Sequence, residues 1–244
     1  MTKHSLFLSP SRGPRLPRRA FLRYTGATSV GMALVLAGCK KDDPQPTAIL
    51  NTSGETVLLG SGDTALLNLM QAGKQLSTDL LDRILKVSPA VLTTNELALV
   101  RDMQAQQKIH RDALKAAVNS ARTVASPQAL NLADLPADFS AIDFTQRAAP
   151  LAAAHSLLNT LVAAAAGAMR YTARAATLTL LGQVLSVDAR HAATLGSLLA
   201  VPTYTDPQDG APDARNRTLR PAQTAAALNA SIKSGSRLLT NNLA

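Results

Sequence analysis

The sequence is poor in cysteine and in aromatic residues. Its 244 residues include one cysteine, Cys39, no tryptophan and only 3% aromatic residues in total. A single thiol excludes an intramolecular disulfide framework. The shortage of aromatic rings removes the stacking platforms on which single-stranded nucleic acids bind. The sequence also lacks a Gly-x-Ser-x-Gly elbow, a glycine-rich phosphate loop and a Cys-His arrangement, so no catalytic residue is assigned.

The positive charge of the chain is concentrated at its N-terminus. The net charge is +9, from 25 basic and 16 acidic residues, but residues 1–38 hold six of the basic residues and no acidic one. Without those six residues the net charge is +3. This modest charge does not provide the basic surface that nucleic-acid binding needs. We therefore expect no nucleic acid among the partners.

Residues 1–38 predict a signal peptide of the twin-arginine lipoprotein type. The pair Arg18 and Arg19, followed by Ala-Phe-Leu-Arg, resembles a twin-arginine export signal. The Leu-Ala-Gly sequence directly before Cys39 resembles the lipobox at which bacterial lipoproteins are acylated and cleaved. The apolar stretch 27–38 is much shorter than the roughly 20 residues of a transmembrane helix. We expect export, acylation at Cys39 and membrane attachment through that lipid anchor.

Residues 39–61 predict a flexible tether, because prolines and small polar residues dominate this stretch. Its beginning, Lys40-Lys41-Asp42-Asp43, resembles the short sorting signal that directs some bacterial lipoproteins to the cell surface. Charged residues are also common in solvated tethers of any kind. The expected location is the bacterial cell envelope outside the cytoplasm, at the outer membrane or the cell surface.

Residues 62–200 predict four amphipathic helices and no strand, because apolar residues recur at steps of three and four. Each helix has an inward stripe that is interrupted by polar residues near its middle. The four stripes are Leu67, Met70, Lys74, Ser77, Leu81 and Ile84; Val100, Met103, Gln107, His110, Leu114 and Ala117; Ala152, His155, Asn159, Val162, Ala166 and Met169; and Leu181, Val184, Asp188, His191, Leu195 and Leu198. Burying an unpaired polar group costs about 1–3 kcal/mol. The coincidence therefore predicts one shared polar layer inside the bundle.

The connections predict two neighbouring helices followed by a crossover. A short turn around Ser88-Pro89 joins the first two helices, and Thr93 with Glu96 forms a capping-box pattern at the start of the second. The stretch from about Thr123 to Asp143 has no helical period and contains prolines. It predicts a long crossover between helices two and three.

Two regions leave alternatives open. A second apolar stripe of the first helix runs through Leu66, Leu69, Gly73, Leu76 and Leu80. Lys74 therefore lies either inside the core or at its edge. The C-terminal tail, 201–244, predicts a short helix from Pro221 that is docked on the bundle or frayed. We assign this tail no function.

Two helical runs, Gln107-Lys108-Ile109-His110 and Asp188-Ala189-Arg190-His191, place an amide or acid three residues before a histidine. Residues three apart lie on one face of a helix. Both runs look like altered copies of a Glu-x-x-His element, and the first helix opens with the similar run Asp63 to Asn68. On these residues the chain resembles the ferritin-like domain proteins of bacteria. The resemblance implies an all-α, ferritin-like four-helix bundle with a crossover between helices two and three.

The resemblance also implies where the ligands of a di-metal centre would lie. In chain order the six family ligands fall on Lys74, Gln107, His110, Asn159, Asp188 and His191. Three of these positions, Lys74, Gln107 and Asn159, have lost their ligand chemistry. His155, one turn before Asn159, is a further candidate ligand.

Two interpretations of the altered site follow. In the first, His110 and His191 are core histidines, Lys74 pairs with Asp188 and no cofactor is bound. In the second, these two histidines and Asp188, with His155 as a fourth ligand, bind a single zinc or iron ion. A di-iron centre is disfavoured, because one carboxylate does not offset the charge of two cations.

We favour the first interpretation. It describes an exported ferritin-like lipoprotein with a vestigial metal site, which acts as a non-enzymatic structural or interaction module at the cell envelope. Its partner would be another protein or a second copy of the chain. The alternative is a metal-binding protein of the oxidase-like or metal-storage kind.

Overall fold

The computed structural model of the protein describes residues 56–120, 135–201 and 217–240. These residues form four long helices, one short helix and a pair of short strands. In chain order the elements are β1 (Thr56–Leu58), α1 (Gly62–Val87), α2 (Thr94–Ser120), α3 (Ala148–Ala168), α4 (Ala175–Leu198), α5 (Pro221–Asn229) and β2 (Arg237–Leu239). A 3₁₀ turn over Met169–Tyr171 lies between α3 and α4. The predicted all-α bundle of four helices is confirmed.

Helices α1 and α2 are joined by a short turn whose ends are fixed by side chains. The backbone N–H of Thr93 donates to Glu96 Oε2 at 2.8 Å, and the backbone N–H of Glu96 donates to Thr93 Oγ1 at 3.3 Å. This reciprocal pair is the predicted capping box. The hydroxyl of buried Ser88 donates to the carbonyl oxygen of Phe144 at 2.8 Å, which ties the turn to the crossover.

Helix α3 follows the crossover, and its start is fixed to α2. Residues 121–147 separate α2 from α3, as the predicted crossover requires. Arg147 Nε donates to Glu96 Oε1 at 2.8 Å, which links the first residues of both helices. The Arg83 guanidinium lies 4.9 Å from the centre of the Phe144 ring, a cation–π contact between α1 and the crossover.

The junction between α3 and α4 is held by the first turn of α1. The carboxylate of Asp63 accepts hydrogen bonds from the backbone N–H groups of Ala173, at 2.7 Å, and Arg174, at 3.1 Å. Arg174 is the N-cap residue of α4, so Asp63 satisfies one of the backbone N–H groups that the helix leaves unpaired at its N-terminus. The hairpin of α3 and α4 is thereby fastened to α1.

The folded unit begins before the predicted boundary at residue 62. Strand β1 pairs in parallel with β2, with Val57 opposite Leu238, and Leu59 is buried in the core. The prediction of a flexible tether over 39–61 is therefore wrong for residues 56–60. Three-residue strands have no periodicity from which a sequence argument can detect them.

The described part of the C-terminal tail is docked on the bundle. This decides between the docked and the frayed alternatives. Helix α5 begins at Pro221, as predicted, and Leu228 and Ile232 are buried. The backbone N–H of Leu219 donates to the Ala163 carbonyl oxygen at 2.9 Å. A Cβ atom added at Gly167 would lie 1.8 Å from the Leu219 carbonyl oxygen, so only glycine permits this close approach.

Among the described residues, the segment Ala148–Tyr171 is long and apolar enough to span a membrane. Over half of its most apolar stretch is buried inside the bundle. A core helix of a soluble protein has the same length and composition. This segment therefore carries no membrane assignment.

Candidate functional site

Lys74 lies inside the bundle. Helix α1 is buried on every side from Asp63 to Thr78, because it packs against α2, α3 and α5 at once. Both apolar stripes of α1 are therefore internal, and the Lys74 side chain is 0% exposed. The alternative in which Lys74 lies at the edge of the core is wrong. A buried ammonium group needs acceptors, because an unpaired charge in the interior is strongly destabilising.

The Lys74 ammonium group contacts the carboxylate of Asp188, which is also 0% exposed. It donates a further hydrogen bond to Gln107 Oε1 at 2.9 Å. Burial lowers the pKa of Lys74 below its ordinary value, and the Asp188 carboxylate opposes this shift. Residues from α1, α2 and α4 thus form one polar network inside the bundle. We call Lys74, Ser77, Gln107, Asp188 and His191 the lysine network.

The side-chain amide of Gln107 uses both of its ends in the lysine network. Its Oε1 accepts hydrogen bonds from Lys74 Nζ and Ser77 Oγ, each at 2.9 Å. Its Nε2 donates to Asp188 Oδ1 at 2.8 Å and lies 3.3 Å from His191 Nδ1. Because an amide nitrogen only donates, His191 Nδ1 acts as the acceptor. The proton of this neutral imidazole is therefore assigned to Nε2.

The two histidines near Asp188 are neutral at pH 7. Burial, assisted by the charge of Lys74, lowers the pKa of His110 from 6.5 to about 4. Burial also lowers the pKa of His191. His110 Nδ1 lies 3.9 Å from Asp188 Oδ1, which exceeds hydrogen-bonding distance. This nitrogen is buried and has no hydrogen-bond partner among the described residues.

The predicted inner stripe of the third helix is wrong. Asn159 is exposed, and its Nδ2 lies 3.0 Å from Nε2 of the partly buried His155. The inward residues of α3 lie one position earlier: Leu151, Ala154, Leu158, Leu161, Ala165 and Ala168. Helix α3 is rich in alanine and leucine on nearly every face, so its apolar periodicity does not distinguish adjacent stripes. The structure brings Lys74, Gln107 and Asp188 together with His110 and His191. It does not bring Asn159 or His155 to this group.

Aliphatic side chains occupy the side of α1 that faces α3 and α5. A Cβ atom added at Gly73, next to Lys74, would lie 2.3 Å from Leu161 Cδ2 and 3.4 Å from Leu228 Cδ1. Gly73 therefore lets both helices approach α1 closely beside the lysine network. The surroundings of Lys74 are polar toward α2 and α4 and apolar toward α3 and α5.

Two interactions, one at the site and one at the start of α2, had no assigned role in the sequence analysis. Ser77 donates to Gln107, and its position three residues after Lys74 is the signal that identifies it. The buried carboxylate of Glu96 pairs with Arg147, which lowers the pKa of Glu96. No sequence signal indicates this second pair, because its partners lie 51 residues apart.

The geometry of the four helices agrees with a family comparison. Residues 62–201, more than half of the chain, match the family model of the ferritin-like domain. The chain belongs to the ferritin-like domain family. The match begins with α1 and ends just after α4, so β1, α5 and β2 lie outside the matched part of this ferritin-like protein. No curated protein matches the chain.

The ligand set of this ferritin-like domain does not fit a di-metal centre. Two divalent cations need several carboxylates, whereas the network holds only Asp188, which is already paired with Lys74. The ammonium group of Lys74 would also repel a cation placed between the same acceptors. Within the described residues, no three His, Cys, Asp or Glu side chains are grouped as metal ligands.

The predicted export and lipidation residues lie outside the described part of the chain. They are Arg18, Arg19 and Cys39, within the segments 1–38 and 39–61 of the sequence. Their roles stay predictions from the sequence.

Proposed function

We propose that this protein is an exported, lipid-anchored ferritin-like module that works at the cell envelope without a bound metal, in a structural or interaction role. The observation that carries the proposal is the fully buried contact between Lys74 and Asp188. One internal cation balances one internal carboxylate. Gln107 then bridges this pair to His191 through hydrogen bonds.

The chemistry of the lysine network supports a structural role. Metal-dependent oxidation or storage needs anionic ligands that are free to bind a cation. Here the carboxylate of Asp188 is paired, and Gln107 Oε1 accepts from both Lys74 and Ser77. The network instead links α1, α2 and α4, and polar groups of this kind in a bundle can fix one packing register.

The proposed location at the envelope depends on the N-terminal sequence. Cys39→Ser should release the protein from membranes, because the acylated thiol is the only anchor the proposal contains. Replacing Arg18 and Arg19 by lysine should hold the precursor in the cytoplasm. Cell fractionation with immunoblotting measures both outcomes, and unchanged membrane partition of the Cys39→Ser variant contradicts the lipoprotein assignment.

One observation favours a second function, the binding of a single metal ion. The buried Nδ1 of His110 has no partner among the described residues and lies near Asp188, with His191 on the same network. Displacement of the Lys74 ammonium would leave these three side chains as candidate ligands for one zinc or iron ion. This alternative needs a metal ion that competes successfully with the Lys74 ammonium group for the Asp188 carboxylate.

Metal content and thermal stability of the mature chain distinguish the two functions. We expect the purified protein to contain no stoichiometric zinc, iron or manganese, and its melting temperature to stay constant when these ions are added. A His110→Ala, His191→Ala variant serves as the control, and its response to metal should equal that of the parent. A metal-dependent rise in melting temperature that disappears in this variant would establish the second function instead.

A further inference from the structure

We infer that the lysine network is the site of a covalent modification, an isopeptide bond between the side chains of Lys74 and Gln107 that forms with loss of ammonia. The bond would join α1 to α2 inside the bundle and close a loop of 33 residues, because the two side chains are that far apart in the sequence. Its formation needs no metal ion. The inference goes beyond the proposed structural function.

The amine of Lys74 and the amide of Gln107 lie side by side in the core. Lys74 Nζ is 2.9 Å from Gln107 Oε1, the oxygen of the amide carbon that would be attacked. Both residues are 0% exposed, so bulk water does not compete with the amine for that carbon. Two groups that a rigid core holds together react without the entropic cost of meeting in solution. A lysine amine away from water is also a stronger nucleophile than a hydrated ammonium group.

Asp188 contacts both reacting groups. Its Oδ2 contacts Lys74 Nζ, and its Oδ1 accepts a hydrogen bond from Gln107 Nε2 at 2.8 Å. One carboxyl group therefore touches both the nitrogen that attacks and the nitrogen that leaves. Because a general acid or base must lie within hydrogen-bonding distance of the proton it moves, Asp188 is the catalytic residue of this reaction.

Ser77 stabilises the oxygen of the reacting amide. Its hydroxyl donates to Gln107 Oε1 at 2.9 Å. Negative charge develops on this oxygen when an amine adds to the carbonyl carbon, and a donor that already points at the oxygen stabilises that state. The carbon, the oxygen and the nitrogen of the amide thus have the partners that the reaction needs, in Lys74, Ser77 and Asp188.

The reaction is a transamidation in which atoms and charges balance. The Lys74 ammonium group gives one proton to the Asp188 carboxylate, and its nitrogen lone pair forms the bond to Gln107 Cδ. The bond from Cδ to Nε2 breaks with its electron pair on Nε2, which takes the proton from Asp188 and leaves as ammonia. The second proton that Nζ loses passes to Asp188, which ends as a neutral carboxylic acid. Two buried charges disappear, which favours the product because buried ions are costly.

A second lysine, aspartate and glutamine set lies between α1 and α2 and is partly exposed. Gln104 Nε2 donates to Asp82 Oδ1, and Lys108 Nζ lies 3.7 Å from the same oxygen. The side chains of Lys108 and Asp82 are 43% and 34% exposed, so water stabilises both charges and the amine keeps its proton. We expect no covalent bond in this set, which makes it the matched control.

The test is the mass of the purified mature protein and of its tryptic peptides after denaturation. We expect the parent to be lighter by one ammonia than its sequence requires, and Lys74→Arg to have its full mass. Trypsin should leave Lys74 uncut and release a branched peptide in which residues 102–108 are joined to Lys74 through Gln107. The control variant Lys108→Arg should give the same branched peptide as the parent, apart from its substitution.

Two results would overturn the inference. One is a parent of full mass whose chain trypsin cuts after Lys74. The other is loss of one water with Lys74 joined to Asp188, because a different carbonyl carbon would then have reacted. Asp188→Asn should have its full mass whereas Asp82→Asn should stay linked, and a linked Asp188→Asn protein contradicts the role of Asp188. The measurement on the parent decides the inference even where a variant does not fold.

The inference and the proposed function fail in different ways. A parent without the branched peptide contradicts the inference and leaves the metal-free function in place. Stoichiometric metal that depends on His110 and His191 contradicts the proposed function, whether or not the peptides are linked.

Discussion

Helices α1, α2 and α4 place polar side chains in the interior of the bundle, whereas the buried face of α3 is entirely apolar. Helix α1 contributes Lys74, α2 contributes Gln107 and α4 contributes Asp188. All three side chains are 0% exposed. The buried residues of α3 are proline, leucine, alanine and glycine only. Two sides of one core therefore stabilise the same fold by different means, one by charge pairing and hydrogen bonds and the other by aliphatic packing.

This difference follows from the cost of burying a charge. A buried carboxylate requires a positive charge nearby, and Lys74 supplies it from within the chain. A helix that contributes no charged group needs no such partner and can be filled with aliphatic residues, as α3 is. The positions of Lys74 and Asp188 in this core thus satisfy charge balance.

The largest expected effect comes from breaking the charge pair on the polar side. Lys74→Met should lower the free energy of unfolding by about 3–5 kcal/mol, because it leaves the Asp188 carboxylate buried and unpaired. Urea denaturation in metal-free buffer measures this loss. Replacing both partners, as Lys74→Met with Asp188→Leu, should recover most of it, since apolar residues can occupy the site without a charge.

A loss no larger than that of Lys108→Met would contradict this prediction. Lys108 lies 3.7 Å from Asp82 with both side chains partly exposed, and such pairs contribute at most about 1 kcal/mol.

On the apolar side of the core, removing side-chain volume should lower the free energy of unfolding. Leu161→Ala should cost about 2–4 kcal/mol, because Leu161 is fully buried against Gly73 and its truncation leaves a cavity. Thermal or urea unfolding measures the change. Leu178→Ala on α4 is the control, since Leu178 is 42% exposed and its truncation should cost much less. Equal losses for the two variants would show that the inner face of α3 has been assigned incorrectly.

The pH dependence of stability tests the polar side of the core. His110 has a pKa of about 4 in the folded protein and about 6.5 when unfolded, so the unfolded chain binds a proton first as the pH falls. Stability should therefore decrease between pH 6.5 and pH 4, by about 1–3 kcal/mol from this residue. The lowered pKa of His191 acts in the same direction. Urea titrations at a series of pH values should show a shallower decrease for His110→Gln, and parallel curves would refute the assignment.

The smallest change in stability is expected for a residue that lies outside both sides of the core. Asn159→Glu places a carboxylate at the position where the family resemblance expects a ligand, but the residue is exposed on α3. Stability should change by less than about 0.5 kcal/mol, because the new charge remains hydrated. Adding Zn²⁺ or Mn²⁺ should not raise the melting temperature of this variant above that of the parent. A metal-dependent rise would indicate that position 159 does approach the lysine network.

The sequence predicts this fold well wherever a helix has distinct polar and apolar faces. The stripes of α1, α2 and α4 are located correctly, and they bring Lys74, Gln107 and Asp188 together. Asn159 is misplaced because α3 has too few polar residues to define its outer face. The sequence does not decide whether Lys74 lies inside the core or at its edge, because α1 is apolar on two adjacent stripes. The packing of α3 and α5 against Gly73 makes both stripes internal.

The contacts that the sequence does not predict join residues far apart in the chain. Strand β1 pairs with β2 across some 180 residues, and each strand is three residues long. The close contact of Gly167 with Leu219 depends on where the tail returns to the bundle. Local periodicity contains no information about such partners, so they emerge only in the tertiary structure.

The parallel pairing of β1 with β2 has a mechanical consequence. The chain enters β1 at Thr56 and leaves β2 at Leu239, and in a parallel pair these two points lie at opposite ends of the ladder. A force that pulls the two ends of the folded unit apart therefore loads the backbone hydrogen bonds together, in shear, instead of opening them one after another. Hydrogen bonds that share a load resist it better than bonds that break in turn. Tension applied between Thr56 and Leu239 would therefore pass through the β1–β2 ladder and reach the bundle only after that ladder breaks.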